Sequence, residues 1–267
     1  MAFHLALVTG ASSGIGEALC RLLAKNGIPL LITGRNQEKL ALLAKELEQL
    51  VKVEFFTAEL DKDLGRAVVI EKIYQQVPDL VVNNAGFGLY GQILTHETKK
   101  QMEIFEVDAA TVLQLSIEAA RALVSADKPG VILNVSSAAA FQIFPSFSVY
   151  SASKAFVNSF SESFDEEVKQ YGVRILAACP GMVDTKFRER ASEGSEKKKY
   201  SFSMSPETAA KEIWKQINKR KPIYIFDWRY RFAAFIKKIL PKRFVVNQVR
   251  RIIDGRYASR EILKKKM

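Results

Sequence analysis

The 267-residue sequence predicts an α/β fold in which seven parallel strands form one doubly wound sheet. Two observations lead to this prediction. Short apolar runs alternate with longer segments whose apolar residues recur every three or four positions, a pattern typical of strands alternating with amphipathic helices. The first run also ends in a glycine-rich turn before its helix, from Gly10 to Gly16. Since crossovers between parallel strands are right-handed, we expect helices on both faces and ligands beyond the carboxyl ends of the strands.

Apolar runs and their flanking turn residues set the predicted element boundaries. The predicted strands cover residues 5–9, 29–33, 51–57, 80–83, 131–135, 173–178 and 223–226. The helices between them run from the glycine turn to Gly27, from the Asn36 cap onward, and over residues 63–76, 98–125, 149–170 and 206–219. This alternation predicts one catalytic domain over residues 1–227, with a loop at 184–205 that is rich in Lys, Glu and Ser.

Composition argues against several classes of protein. No apolar run reaches the ~18 residues that a membrane span needs, and the N-terminus lacks a basic segment followed by a cleavage site. Cys20 and Cys179 each lie in an apolar segment, which indicates buried thiols in a reducing compartment. With only His4 and His96, far apart in the chain, we expect no metal site. These features predict a cytoplasmic protein.

Positive charge is concentrated at the C-terminal end of the chain. Residues 186–267 hold 24 Lys and Arg against 8 Asp and Glu, within a chain whose formal net charge is +11. Residues 228–267 are predicted to form two basic amphipathic helices, 228–240 and 243–253, split by Pro241. This extension either packs over the site or makes peripheral contact with an anionic membrane. Nucleic-acid binding is not expected, because no recognition motif accompanies the charge.

The glycine turn predicts a dinucleotide site. Its glycines allow backbone amides to approach a pyrophosphate, and the following helix offers its positive N-terminal end. The spacing Gly-x-x-x-Gly-x-Gly differs from the commoner Gly-x-Gly-x-x-Gly. The residues expected to contact the cofactor here are Gly10, Ser12, Ser13, Gly14, Ile15 and Gly16.

An arginine predicts which cofactor binds. Arg35 follows the second strand, where a binder of the unphosphorylated cofactor would usually offer a carboxylate to the ribose. A guanidinium suits a 2′-phosphate, because it clasps phosphate oxygens by two hydrogen bonds. The sequence therefore predicts NADP(H).

Two further strand ends extend the predicted cofactor site. After the fourth strand come Asn83, Ala85 and Gly86, which are placed to border the adenine ribose and to brace neighbouring strands. After the sixth strand come Pro180, Gly181, Val183 and Thr185, of which the last two are placed to meet the nicotinamide end.

Tyr150 and Lys154 form the predicted catalytic pair. Four residues apart on a helix, they share one face, so the ammonium can lie beside the phenol. A nearby cation favours the phenolate, which predicts a tyrosine pKa shifted toward neutrality. Ser137, thirteen residues before Tyr150, supplies a hydroxyl for the same substrate oxygen. Ser136 is the adjacent alternative.

These motifs together resemble the short-chain dehydrogenase/reductase family, whose domain has a Rossmann-type sheet. The resemblance covers about residues 3–226 and rests on the order and spacing of residues 9–16, 83–86, Ser137, Tyr150-x-x-x-Lys154 and 180–181. It implies that Tyr150 is the general acid/base. It also implies that Lys154 holds the nicotinamide ribose and depresses the tyrosine pKa, and that Ser137 polarises the carbonyl group.

The chain departs from the family pattern at two positions. The helix asparagine that helps to relay protons in the family corresponds to Asp108, whose negative charge would alter the relay. The adenine-contacting aspartate after the third strand corresponds to Glu59, followed by Leu60.

Aromatic residues flank the predicted catalytic group. Phe87, Tyr90 and Phe144 are expected to form an apolar substrate cleft with Ser137 and Tyr150. A lipophilic ketone, aldehyde or alcohol fits such a cleft better than a sugar. Two alternatives remain. The first is an NADP(H)-binding sensor with weak turnover, which the presence of Asp108 suggests. The second is a 3-ketoacyl (acyl-carrier-protein) reductase whose basic extension docks an acidic carrier. The resemblance also implies a homodimer or homotetramer.

Overall fold

The computed structural model describes residues 3–193, 203–239 and 247. Its seven strands are β1 (Ala6–Thr9), β2 (Leu30–Gly34), β3 (Val53–Thr57), β4 (Leu80–Asn83), β5 (Gly130–Val135), β6 (Val173–Cys179) and β7 (Ile223–Ile225). The helices are α1 (Gly14–Lys25), α2 (Gln37–Leu47), α3 (Asp63–Gln76), α4 (Thr98–Phe105), α5 (Thr111–Ser125), α6 (Ser148–Val168), α7 (Phe187–Ala191), α8 (Pro206–Lys219) and α9 (Trp228–Ile239). The second predicted C-terminal helix, 243–253, lies outside the described residues apart from position 247.

The predicted parallel sheet is confirmed. All its strand pairs are parallel, in the order β3-β2-β1-β4-β5-β6-β7. The chain leaves one edge of the sheet after β3 and re-enters beside β1 as β4. This reversal opens a crevice at the carboxyl ends of β1 and β4, where open α/β sheets bind ligands.

Helices cover both faces of the sheet, as predicted. Alternate residues of each strand point to opposite faces. Ala6 and Val8 pack in a core that includes α1, α2 and α8, and Leu7 packs in a core that includes α3 and α5. Because both faces are buried, the central strands are continuously apolar rather than alternating.

The predicted helix over residues 98–125 is interrupted. A single π-helical turn, Glu106–Ala110, separates α4 from α5 and contains Asp108. Such turns insert one extra residue into a helix and occur frequently at functional sites. The apolar periodicity on either side continues, so the pattern gives no sign of the interruption.

A chain of buried hydrogen bonds braces the centre of the sheet under the crevice. The Asn83 amide donates to Asn134 Oδ1 at 2.8 Å and to Ser116 Oγ at 3.1 Å. The Asn134 amide donates to Ser161 Oγ at 3.0 Å. These side chains join β4 and β5 to α5 and α6, and the predicted bracing role of Asn83 therefore agrees with its contacts.

Two predicted absences can be compared with the described residues. There, no helix is long and apolar enough to cross a membrane, and no group of three or more His, Cys, Asp and Glu residues is placed to hold a metal ion. Cys20 and Cys179 are buried free thiols.

Candidate active site

A cavity of about 1090 Å³ lies at the carboxyl ends of the strands. Its walls are formed by residues at or just after the ends of β1, β2, β4, β5 and β6. Most of the predicted site residues line it: Gly10, Ser12, Ser13, Gly14, Ile15, Arg35, Leu60, Ala85, Gly86, Phe87, Tyr90, Ser137, Phe144, Tyr150, Lys154, Pro180, Gly181, Val183 and Thr185.

The glycine turn is clamped to the end of β4. Gly10 has a φ of +66°, and a Cβ added to it would lie 2.8 Å from Ala85 Cα, so only glycine fits without strain. Thr9 Oγ1 accepts the backbone N–H groups of Asn84 and Ala85, both at 3.0 Å. The Asn84 amide donates to Thr9 O at 2.9 Å. These hydrogen bonds fix the glycine turn to the end of β4, on the wall of the cavity.

Four predicted residues lie away from the cavity wall. Gly16 packs beneath the turn, where an added Cβ would lie 2.4 Å from Asn84 Nδ2. Glu59 is on the surface and pairs with Lys62, while its neighbours line the cavity. Asn83 is buried in the sheet and is replaced on the wall by Asn84, because Asn83 is the last residue of β4 and points into the protein. Asp108 lies behind Lys154.

The two candidate serines have different surroundings. Ser136 is 1% exposed, and its hydroxyl donates to the backbone oxygen of Lys154 at 3.0 Å. Ser137 Oγ accepts the N–H of Ala139 at 3.1 Å, and the Ser137 hydroxyl is near enough to Tyr150 to lower the pKa of the phenol. Ser137 is therefore the serine that meets the phenol, as the thirteen-residue spacing predicts.

The predicted pKa shift of Tyr150 is wrong for this structure. Burial raises the pKa of the phenol, and the Asp108 carboxylate raises it further, whereas the Ser137 hydroxyl lowers it. Tyr150 is only 9% exposed and stacks on Phe147, with ring centroids 4.3 Å apart. Desolvation of the charged form therefore outweighs the effect that was expected from Lys154, and it favours the neutral phenol.

Lys154 is held by groups other than the phenol. Its Nζ donates to Val135 O at 3.0 Å and lies 3.6 Å from Asp108 Oδ2. The distance from Nζ to the centroid of the Tyr150 ring is 5.6 Å. A carboxylate beside the ammonium offsets its field at the phenol, which explains why the expected lowering is absent.

Asp108 is a fully buried carboxyl group. Its Oδ1 accepts the N–H of Phe87 at 3.1 Å. Burial raises the pKa of Asp108 to about 6, although Lys154 and the Phe87 N–H both favour the charged form. An Asp at this position thus adds a titrating charge below the active-site phenol that an asparagine would not have.

One end of the cavity is strongly positive. Arg35 follows β2, and Arg190 reaches the same region from α7, where its Nη2 donates to Ser13 Oγ at 3.1 Å. Burial and the nearby charge of Arg35 both lower the pKa of Arg190. Arg190 was not predicted as a site residue, because it lies in the 184–205 loop and no local pattern reveals that this residue contacts the glycine turn. Residues 194–202 of the loop lie outside the described residues.

The other end of the cavity is aromatic. Tyr90, Phe147 and Tyr150 stack in a row, with centroids 4.2 Å and 4.3 Å apart. Phe187 of α7 approaches the Tyr150 ring at 5.4 Å. Tyr230 of α9 also lines the cavity and packs on Gly181, where an added Cβ would lie 2.3 Å from its ring. Phe147, Phe187 and Tyr230 were not predicted as site residues. Helical spacing places Tyr230 on the face of the helix opposite to Trp228 and Phe232. The sequence therefore does contain a signal that Tyr230 faces a different direction from those two residues.

Comparison with known proteins gives consistent matches. A family model described as short chain dehydrogenase matches residues 4–196. An uncharacterized oxidoreductase of Staphylococcus aureus strain MW2 is 33% identical over 185 residues, which are 68% of this chain and 78% of that protein. An uncharacterized oxidoreductase of Staphylococcus saprophyticus is 31% identical over 198 residues, 73% of this chain and 84% of that protein.

Solved structures share the fold. An alcohol dehydrogenase from the archaeon Thermococcus sibiricus, complexed with 5-hydroxy-NADP, is 26% identical with a TM-score of 0.72, covering 84% of this chain and 94% of that chain. A short-chain dehydrogenase from Sphingobium yanoikuyae in complex with NADPH has a TM-score of 0.81 at 24% identity, covering 88% of this chain and 93% of that chain. At that identity the second likeness shows the fold alone.

Replacing Asp108 by Asn should change how stability depends on pH. The folded pKa of Asp108 lies above its ordinary value, so the stability that it contributes is present below pH 3.8 and is lost as pH rises through about 6. The Asp108→Asn variant lacks this loss. Urea denaturation at pH 5 and pH 8 should show the variant gaining on the wild type by on the order of 1 kcal/mol between the two.

The exposed Asp127 provides the matched control. The effect of Asp108→Asn on the free energy of unfolding is compared with that of Asp127→Asn at each pH. If Asp108→Asn gives a pH-independent difference, Asp108 does not titrate in this range.

Proposed function

The chain belongs to the short-chain dehydrogenase family of oxidoreductases, and we propose that it uses NADP(H) to reduce the carbonyl group of a lipophilic ketone or aldehyde. The observation that carries the proposal is that the hydroxyl-bearing side chains of Tyr150 and Ser137 line one cavity together with the glycine turn. A carbonyl oxygen that accepts from both hydroxyls would be polarised and would have a proton donor beside it.

The cavity fits a nicotinamide dinucleotide at both ends. The positive-φ glycines Gly10 and Gly14 leave room for a backbone approach to a pyrophosphate at the N-terminus of α1. Arg35 and Arg190 lie near each other, and Arg190 hydrogen-bonds with Ser13 of the glycine turn. Their combined positive charge suits an additional phosphate group. When bound, the reduced cofactor supplies the hydride. The 5-hydroxy-NADP complex of the archaeal alcohol dehydrogenase supports the same cofactor class.

The neutral state of Tyr150 favours the reductive direction. A phenol whose pKa is raised holds its proton at neutral pH and is ready to donate it to a developing alkoxide. The reverse reaction needs a phenolate, which burial and the Asp108 carboxylate both oppose. Lys154, bonded to Val135 O, supplies a buried positive charge on the same wall.

The aromatic wall favours a lipophilic substrate. Tyr90, Phe144, Phe147 and Phe187 form one aromatic cluster with the Tyr150 ring. An apolar carbonyl compound therefore gives up few hydrogen bonds with water when it enters the site. A sugar would give up many hydrogen bonds with water that the aromatic wall does not replace.

A second candidate is an NADP(H)-binding sensor without turnover. The Asp108 carboxylate favours this candidate because it raises the pKa of Tyr150, and a tyrosine with a raised pKa loses its proton less readily during a catalytic cycle. A substrate panel separates the candidates when it contains free lipophilic ketones and the free and carrier-linked forms of one β-ketoacyl compound. Turnover on carrier-linked substrate alone would favour the acyl-carrier-protein reductase, and tight NADPH binding with no turnover would favour the sensor.

Tyr150→Phe should lower the rate of NADPH-dependent ketone reduction by at least about a hundredfold, because general acid catalysis contributes 10²–10⁴. Binding of NADPH, followed by its fluorescence, should stay within a few fold. The control is Tyr171→Phe, which removes an exposed phenol and should leave both unchanged. Equal turnover in wild type and Tyr150→Phe would refute the catalytic assignment.

Removing the positive pair should weaken discrimination between the cofactors. Arg35→Ala should reduce NADPH affinity by about 10–100-fold while changing NADH affinity little, because one charged hydrogen-bond partner contributes about 1.5–3 kcal/mol. Arg190→Ala should act in the same direction. Arg121→Ala, at an exposed pair on α5, is the control. Calorimetric titration that shows equal losses for NADPH and NADH would remove the 2′-phosphate from the proposal.

A homodimer or homotetramer forms the last part of the proposal. The outer face of α6 carries Phe156, Phe160 and Phe164 in one stack, and Phe156 is 38% exposed. Burial of such a stack against a second copy would remove apolar area from water. Light scattering should find the wild type as an oligomer and Phe156→Ser as a smaller species at micromolar concentration, with Tyr171→Ser unchanged. A wild type that is still monomeric at ~0.1 mM, well above common dissociation constants, would contradict the proposed oligomer.

A further inference from the structure

Helix α9 presents three of its four aromatic residues to solvent, and its small residues and Tyr230 to the protein. Trp228, Phe232 and Phe235 recur at helical spacing on one side and are 67%, 60% and 59% exposed. Ala233 and Ala234 are half-buried on the inner side. A helix that only packs on its domain has the opposite arrangement, so the three rings, here called the α9 aromatic face, need another partner.

The charge of α9 indicates the chemistry of that partner. The helix contains four Lys and Arg and no Asp or Glu. Residues 203–239 as a whole contain 9 Lys and Arg against 3 Asp and Glu. Arg231 is exposed beside the aromatic face, whereas Arg229 forms an ion pair with Asp227, the residue that precedes the helix. A solvent-facing stripe of Trp and Phe with cations on its borders complements an anionic lipid surface, because the rings enter the headgroup region while the cations meet phosphates.

The inner side of α9 connects this face to the active site. Tyr230 packs on Gly181 and hydrogen-bonds with the backbone of Met182, and its ring forms part of the cavity wall. A surface that binds the outer side of α9 therefore lies one helix diameter from the cavity, about 10 Å.

We propose that the α9 aromatic face docks on an anionic membrane surface and so places the cavity beside the lipid phase that holds a lipophilic substrate. Docking stands on the α9 face alone, whereas substrate delivery rests on the reductase activity proposed above. The two parts therefore need separate measurements.

Docking is tested with the full-length chain and extruded vesicles of phosphatidylcholine and phosphatidylglycerol in a 3:1 ratio. The chain has two tryptophans, and Trp214 packs against Phe3 away from α9, so Trp214→Phe leaves Trp228 as a site-specific probe. Its emission should shift to shorter wavelength on vesicle binding and should be quenched by brominated lipid. Pure phosphatidylcholine and high salt should each weaken binding, because the cations contribute attraction.

The aromatic contribution is tested by Phe232→Ser/Phe235→Ser. Burial of one aromatic ring is equivalent to about tenfold in affinity, so the double variant should partition onto the vesicles about a hundredfold more weakly. The matched control is Leu64→Ser/Leu50→Ser, which removes two exposed apolar side chains at 82% and 56% exposure elsewhere on the surface. Circular dichroism checks that each variant is folded.

Several results would overturn docking through α9. They are no vesicle binding by the wild type, equal binding by wild type and the α9 double variant, or a Trp228 that brominated lipid does not quench. A change of oligomeric state on Phe232→Ser/Phe235→Ser in the absence of vesicles would assign the face to a second copy of the chain. Protection of Trp228 from aqueous quenchers without vesicles would assign it to residues 240–267.

Substrate delivery has its own readout. Vesicles should raise the rate of NADPH oxidation severalfold with a ketone dissolved in the lipid and leave the rate with a water-soluble ketone unchanged. Vesicle binding without activity on any ketone would refute the reductase proposal and leave docking intact. Activity without vesicle binding would do the reverse.

Discussion

The placement of Ser137 and Tyr150 on the wall of one cavity is the feature on which the proposed chemistry depends. It brings two hydroxyl groups together in a cavity whose other end is shaped by the glycine turn. Buried bonds from Asn83 and Asn134 fix β4 and β5 to α5 and α6, and the Ser136 hydroxyl ties the end of β5 to the backbone of α6. Tyr150 lies on α6, and Ser137 lies two residues after the end of β5, so both are positioned by packed elements of the core.

The electrostatics beneath Tyr150 separate this chain from the simple expectation of a tyrosine activated by lysine. Lys154 is buried with Asp108 at 3.6 Å, and a buried pair of opposite charges presents a much weaker field to its neighbours than a lone ammonium does. Gly86 makes this arrangement possible, since an added Cβ would lie 2.7 Å from Asp108 Oδ1. The phenol is left in an aromatic stack, where burial keeps it neutral. A neutral phenol suits proton donation, and for this reason the account favours reduction over alcohol oxidation.

The sequence is sufficient for the parts of the fold that local patterns determine. Apolar runs such as 80–83 and the Asn36 cap give the strands and helices, and the Asn36 side chain does accept the N–H of Lys39 at 2.8 Å. The thirteen-residue spacing finds Ser137. Contacts between distant segments are what the sequence conceals. Whether Asn83 or Asn84 faces the cavity depends on where β4 ends, the approach of Arg190 to Ser13 joins residues far apart in the chain, and the pKa of Tyr150 depends on burial that no local pattern measures.

The central claim is that Tyr150 is a neutral acid beside Ser137 and influenced by Asp108. It is tested most directly by carbon-13 NMR of protein labelled at the Cζ of tyrosine, with the Tyr150 resonance assigned by its loss in Tyr150→Phe. The account predicts that this resonance keeps the chemical shift of a neutral phenol up to at least pH 10, its ordinary pKa, and begins to titrate at lower pH in Asp108→Asn. A Tyr150 resonance that already shows phenolate at neutral pH would contradict the account.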